Sequence, residues 1–171
     1  LAMDYVEGAS LRETLDRQGR IGLGEALDIV SQVASALDAA HEAGFVHRDI
    51  KPENILIGEG GPDSGNVRVI DFGIAGYDAP TRLREDSELT GIGVGTPGYM
   101  SPEQWQTNGE RPIPISTRTD VYSLAVVFFE MIAGQRPVKG KRVREGVLAA
   151  RHRLLSEFAP ELPDHVIDAV T

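Results

Sequence analysis

The stretch from Val121 to Ile132 constrains the fold more than any other part of the chain. Val121, Leu124, Ala125, Val126, Val127, Phe128, Phe129, Met131 and Ile132 leave it almost no polar face. A helix that is apolar around its circumference has to be surrounded, by protein or by lipid. This run is shorter than the roughly 18 residues that a membrane span needs, and it is charged at its edges. The pattern therefore predicts a helix over 121–132, buried at the centre of a domain, with Gly134 as its stop. The remaining elements have to be arranged around it.

A second helix is predicted over 25–43, from Ala26, Leu27, Val30, Val33, Ala34, Leu37 and Ala40 at spacings of three and four, with Gly44 ending it. Ser10 and Glu13 have the spacing of a capping box, which opens a short helix with Leu11 and Leu15 inside. Before it, residues 1–6 read as the end of a strand that Glu7-Gly8 breaks. Ile55-Leu56-Ile57 and the alternating Val67-Arg68-Val69-Ile70 predict a hairpin across the turn 58–65. A further helix is expected within 144–156, and a last one from Asp164 after Pro163. Between Gly73 and Gln104 periodicity is lost, and structureless segments of that length are usually functional.

The hydrophobic share of 41% is enough for an ordinary core. Cysteine is absent, so disulfide and thiolate chemistry are excluded. The formal charge of -9 argues against a general nucleic-acid binder, whose phosphate contacts need a basic footprint. One local exception runs from Arg136 to Arg153, where Arg136, Lys139, Lys141, Arg142, Arg144, Arg151 and Arg153 face a single acid, Glu145. That run reads first as a solvated face and second as a docking surface for an acidic partner. No segment has the length and apolarity to contact a membrane as a span.

The chemistry is concentrated in four groups of residues. They are His47-Arg48-Asp49-Ile50-Lys51-Pro52-Glu53-Asn54, then Asp71-Phe72-Gly73, then Gly95-Thr96-Pro97-Gly98-Tyr99-Met100-Ser101-Pro102-Glu103, then Asp120-Val121-Tyr122-Ser123. In this order and spacing the chain resembles the eukaryotic-like Ser/Thr protein kinases, in their bacterial branch. The resemblance covers nearly the whole chain. It implies an α+β, protein kinase-like fold: a mainly helical large lobe with a small hairpin beside the catalytic loop. Within it, residues 1–8 would be the hinge, 47–54 the catalytic loop and 71–103 the activation segment. The Gly-rich loop, the lysine and the helix glutamate of the small lobe would lie upstream of Leu1. The chain as given is therefore expected to be a partial catalytic domain, inactive alone.

Phosphoryl transfer needs a hydroxyl held in line, positive charge on the phosphates and exclusion of water. Asp49 suits the carboxylate that orients the substrate hydroxyl and takes its proton. Lys51, two residues on, can neutralise the transferring group. Asn54 and Asp71 offer the oxygen ligands that Mg²⁺ prefers. The family resemblance adds further roles. Thr96 would touch Asp49 and Lys51 and favour Ser/Thr acceptors. Met3 would back the adenine pocket, Asp4 and Val6 would meet the adenine edge through their backbones, and Leu56 would pack beneath the base. Arg48 would receive a phosphate on Thr90, or on Ser87. His47 would be structural, beside Phe72, with Asp120 anchoring its loop. Gly73 would hinge the mobile segment. Glu103 would pair with an arginine beyond Thr171 and so lack its partner here. His41, His152 and His165 read as ordinary.

These readings point to a cytoplasmic protein, or the cytoplasmic part of a membrane-anchored one, that uses ATP and Mg²⁺ on Ser/Thr side chains of proteins. The alternative is a non-catalytic kinase-like binding or scaffold module.

Overall fold

The computed structural model describes residues 8–62, 66–72, 97–105, 114–138, 143–149 and 153–168. Its elements in chain order are β1 (Gly8–Ser10), α1 (Leu11–Gln18), α2 (Leu23–Glu42), β2 (Ile55–Gly58), β3 (Val67–Val69), α3 (Pro102–Trp105), α4 (Thr117–Ala133), α5 (Val143–Leu148) and α6 (Asp164–Asp168). Short 3₁₀ turns lie at Pro52–Asn54, Pro97–Tyr99 and Leu155–Glu157. The domain is helix-rich, with one small antiparallel sheet of order β1-β2-β3.

The central helix, α4, begins at Thr117 rather than at Val121. Ser116 caps it, accepting from Arg118 N at 3.4 Å, and Gly134 closes it in the left-handed region. The polar opening turn Thr117-Arg118-Thr119-Asp120 concealed this start, yet Thr119 and Asp120 are wholly buried. Val121, expected inside, is 61% exposed. The helix packs along α2, which runs from Leu23 and so starts two residues before the expected 25 and ends one before 43. Its buried stripe is Ala26, Ile29, Val33 and Leu37, whereas Leu27 is 45% exposed. A neighbouring residue on a helix lies about 100° round, so Ile29 takes the inner place once Ala26 is fixed there. Leu124, Val127, Phe129 and Met131 of α4 complete the core, and Phe158 meets Phe129 edge-on at 5.8 Å.

Ser10 and Glu13 form the expected capping box: Glu13 N donates to Ser10 Oγ at 3.2 Å and Ser10 N donates to Glu13 Oε2 at 2.7 Å. Leu11 and Leu15 are buried below it. Gly8, read as a breaker, instead starts a third strand, with Gly8 opposite Gly58 and Ser10 opposite Leu56. Glycine is required there, because a Cβ would overlap Ile57 O and lie 2.8 Å from Gly58 Cα. The hairpin pairs Ile55 with Val69 and Ile57 with Val67; β3 ends one residue before Ile70, whose N still donates to Asn54 O at 3.0 Å. Among the described residues, the helix expected within 144–156 is α5, ending at Leu148, while α6 starts at Asp164 as expected.

Candidate active site

One buried carboxylate organises the loop between α2 and β2. Asp120, in the first turn of α4, accepts from His47 N through Oδ2 at 2.9 Å and from Arg48 N through Oδ1 at 2.8 Å. His41 Nε2 lies 2.7 Å from the same Oδ2. Two main-chain donors and an imidazole can satisfy a carboxylate that has left water altogether. The sequence reading placed Asp120 beside His47 but passed over His41. The signal was present: 33, 37 and 41 continue the inner stripe of α2, and a polar residue on such a stripe needs a partner.

His47 is fully buried and tilted against Phe72, ring centroids 4.7 Å apart. Its Nε2 faces Ile70 O at 3.0 Å, and Asp49 N donates to its Nδ1 at 3.3 Å. That pattern is satisfied by the tautomer with the proton on Nε2, so the ring holds the loop to the residue before Asp71. Among the described residues, Arg48 (φ 68) and Asp71 (φ 56) are the non-glycine residues at positive φ. Each such backbone costs about 1–3 kcal/mol and persists only where its surroundings hold it.

Lys51 Nζ donates to Asp49 Oδ2 at 2.7 Å. Asn54 Nδ2 donates to the same Oδ2 at 3.1 Å and to Asp49 O at 2.8 Å. Asp49 Oδ1 receives no donor among the described residues, and the side chain is 38% exposed. Since Asn54 turns its amide nitrogen toward Asp49, its Oδ1 lies on the other side of the amide. Asp71 is exposed, makes no hydrogen bond among the described residues, and follows the Ile70–Asn54 backbone bond. Hydrogen bonds thus join Asp49, Lys51 and Asn54, and Asp71 follows the residue that bonds Asn54 at the end of the same hairpin. Leu56 is half-buried, on the opposite face of β2 from the buried Ile55 and Ile57. Met3, Asp4, Val6, Gly73, Ser87, Thr90 and Thr96 lie outside the described residues.

Glu103 does not stand alone: Thr119 Oγ1 donates to its Oε1 at 2.6 Å. The threonine from the first turn of α4 supplies a partner that the sequence reading did not foresee. Burial, and then the charge of Glu103, push the Tyr122 hydroxyl up to about 12.

A second polar cluster escaped the sequence reading. Arg12 on α1 donates through Nε to Glu53 Oε1 at 3.2 Å, and through Nη2 to Tyr99 Oη at 2.7 Å and Glu130 Oε1 at 3.1 Å. Tyr99 in turn donates to Glu130 Oε2. Burial first, then the charge of Glu130, push the Tyr99 hydroxyl far above its ordinary range. Burial disfavours the Arg12 charge, but Tyr99, Glu130 and Glu53 outweigh it and keep the guanidinium charged. Glu130 was the readable signal, a lone acid within the apolar run of α4, where a buried charge must be paired. The cluster joins α1, the loop of Asp49, the Pro97–Tyr99 turn and the central helix.

The fold and the site thus define the class of this protein as a helix-rich domain with a small antiparallel sheet, a strained polar loop and a paired lysine and carboxylate. Comparison with known proteins narrows the class. The family model described as protein kinase domain matches residues 1–166. The chain is 40% identical over 164 residues to the serine/threonine-protein kinase PknA of Mycobacterium tuberculosis, covering 95% of this chain and 34% of that protein. It is 42% identical over 166 residues to the PknA kinase of Corynebacterium glutamicum, covering 97% of this chain and 32% of that one. It is 39% identical over 137 residues to the kinase pkn3 of Myxococcus xanthus, covering 80% of this chain and 24% of that one. The chain belongs to the protein kinase family, among the bacterial Ser/Thr-protein kinases, and spans about a third of the length of the first two relatives. Among the described residues no helix is long and apolar enough to cross a membrane.

Proposed function

We propose that the full-length protein transfers the γ-phosphoryl group of ATP to serine and threonine hydroxyls of protein substrates. The observation that carries this reading is the division of labour on Asp49. Its Oδ2 is held by Lys51 at 2.7 Å and Asn54 at 3.1 Å, while Oδ1 has no donor among the described residues. A carboxylate fixed by one oxygen and open at the other suits the orientation of an incoming hydroxyl. As the hydroxyl oxygen bonds to phosphorus and the bond to the β-phosphate oxygen breaks, Asp49 takes the proton. Lys51, already beside Asp49, can meet the negative charge on the moving group.

The amide oxygen of Asn54 and the exposed carboxylate of Asp71 fit hard oxygen ligands for Mg²⁺. ATP with its Mg²⁺ supplies the phosphoryl group and much of the charge neutralisation. Leu56 is assigned to the underside of the base, with Met3, Asp4 and Val6 as the hinge strip and Thr96 beside Asp49. Thr90, with Ser87 second, is assigned as the regulatory phosphate acceptor that Arg48 would bind. We assign the reaction to the cytoplasm, where ATP is at hand, in a cytoplasmic protein or in the cytoplasmic part of a membrane-anchored one.

The test is transfer of labelled phosphate from ATP to a generic Ser/Thr substrate by the full-length protein, with the 171-residue chain run alongside. Transfer by the full-length protein, abolished by Asp49→Asn, supports the kinase. A folded full-length protein that transfers nothing, even when phosphorylated on Thr90, would leave a non-catalytic binding module.

A further inference from the structure

Gln104, on α3, joins two segments that are distant in sequence. Its Oε1 accepts from Ser101 N at 2.9 Å and from Ser101 Oγ at 3.2 Å. Its Nε2 donates to Arg48 O at 2.7 Å, across 56 residues of chain. Arg48 is the left-handed residue directly before Asp49, and its own N–H is held by Asp120 Oδ1 at 2.8 Å. The peptide plane between Arg48 and Asp49 therefore has two grips. Its N–H reaches His47 Nδ1 at 3.3 Å, a long bond, and its carbonyl receives the short bond from Gln104.

That plane sets the direction in which the Asp49 side chain leaves the main chain. A carbonyl next to a left-handed residue gains freedom to rotate when its partner is lost, because the strained conformation then has less to hold it. Ser101 is fully buried, and the Pro97–Tyr99 turn before it is fixed to α4 by Ser123 Oγ donating to Tyr99 O at 2.8 Å. Gln104 thus stands on a rigid base.

We propose that Gln104 is a positioning residue for phosphoryl transfer, fixing the Arg48–Asp49 peptide and with it the aim of the Asp49 carboxylate. The placement of residues 97–105 is then felt directly at the site of the acceptor hydroxyl. The inference rests on the kinase reading above.

Two variants of the full-length protein separate the halves of the side chain. Gln104→Glu keeps an acceptor for Ser101 but sets an oxygen against Arg48 O. Gln104→Lys keeps a donor for Arg48 O and gives up the acceptor. Steady-state kinetics with ATP and a Ser/Thr peptide, alongside thermal unfolding, give kcat, both KM values and Tm for each. A single positioning bond of this kind predicts that kcat falls about tenfold in Gln104→Glu and stays within about threefold in Gln104→Lys, with KM for ATP nearly constant. The reverse pattern would show that only the Ser101 turn matters, and would overturn the proposal. Equal losses in both variants that follow Tm would overturn it as well, since the role would be structural. If the wild-type protein itself is folded and silent, the kinase reading fails first and the inference goes with it; active wild type with unaffected variants removes the inference alone.

Discussion

Asp120 offers the sharpest quantitative test of how the loop is held. Asp120→Ala strips the acceptor from His47 N and from Arg48 N and leaves His41 Nε2 without its carboxylate. All of these groups lie at a side chain with no exposure, so water cannot fully replace it. Each buried donor left unmade costs about 1–3 kcal/mol, so three would cost at least about 3 kcal/mol, and breaking a buried charged pair as a unit costs about 3–5 kcal/mol, which is the loss expected here. His41→Ala removes one arm and leaves both main-chain bonds intact, so about 1–1.5 kcal/mol is expected. In the double variant the His41 contribution should disappear, because its partner is already gone. Urea unfolding followed by Trp105 fluorescence reads these differences, since Trp105 is the sole tryptophan of the sequence and is buried. A loss below about 1 kcal/mol for Asp120→Ala would refute the reasoning, because it would mean that the loop finds its conformation without this carboxylate.

Gly8→Ala should cost about 2 kcal/mol of stability, read as a lower urea midpoint, since the added Cβ overlaps the backbone carbonyl of Ile57. Tyr122 gives a pH dependence of definite sign. Its hydroxyl is raised in the fold to about 12, above an unfolded value of about 10, so its contribution is complete below pH ~10 and fades as pH rises through ~12. Tyr122→Phe should flatten that alkaline loss in a pH series of unfolding midpoints. Asp49→Asn should reduce kcat by about 10²–10⁴-fold with little change in unfolding, and chelation of divalent cations should abolish transfer by the wild type.

Much of the site was legible because its residues are close in sequence. Asp49, Lys51 and Asn54 share one loop, and the hairpin after them follows from alternation and turn composition. Ser10 and Gly134 were readable for the same local reason, as caps with a defined spacing. What escaped were the partners that only packing brings together. His41 looked ordinary because its carboxylate lies 79 residues away. Arg12 drew no notice, although the lone acid Glu130 within an apolar run called for a cation to neutralise it. Gly8 was read as a breaker because nothing local reveals that its backbone runs against Ile57. The start of α4 was placed late because a polar first turn with buried Thr119 and Asp120 reads like solvent-exposed chain. Leu27 and Val121 show the converse, apolar residues that the packing leaves outside.

The Arg12 cluster has a consequence for how the molecule assembles. A single guanidinium closes contacts across 41, 87 and 118 residues of chain, to Glu53, Tyr99 and Glu130. Contacts of such separation require the largest loops to be closed before they repay anything, so they form late. Arg12 therefore acts as a latch rather than a nucleus. Its removal should leave the refolding rate nearly unchanged and appear almost wholly as faster unfolding. Arg12 should therefore bear on the lifetime of the folded domain more than on the speed of its formation.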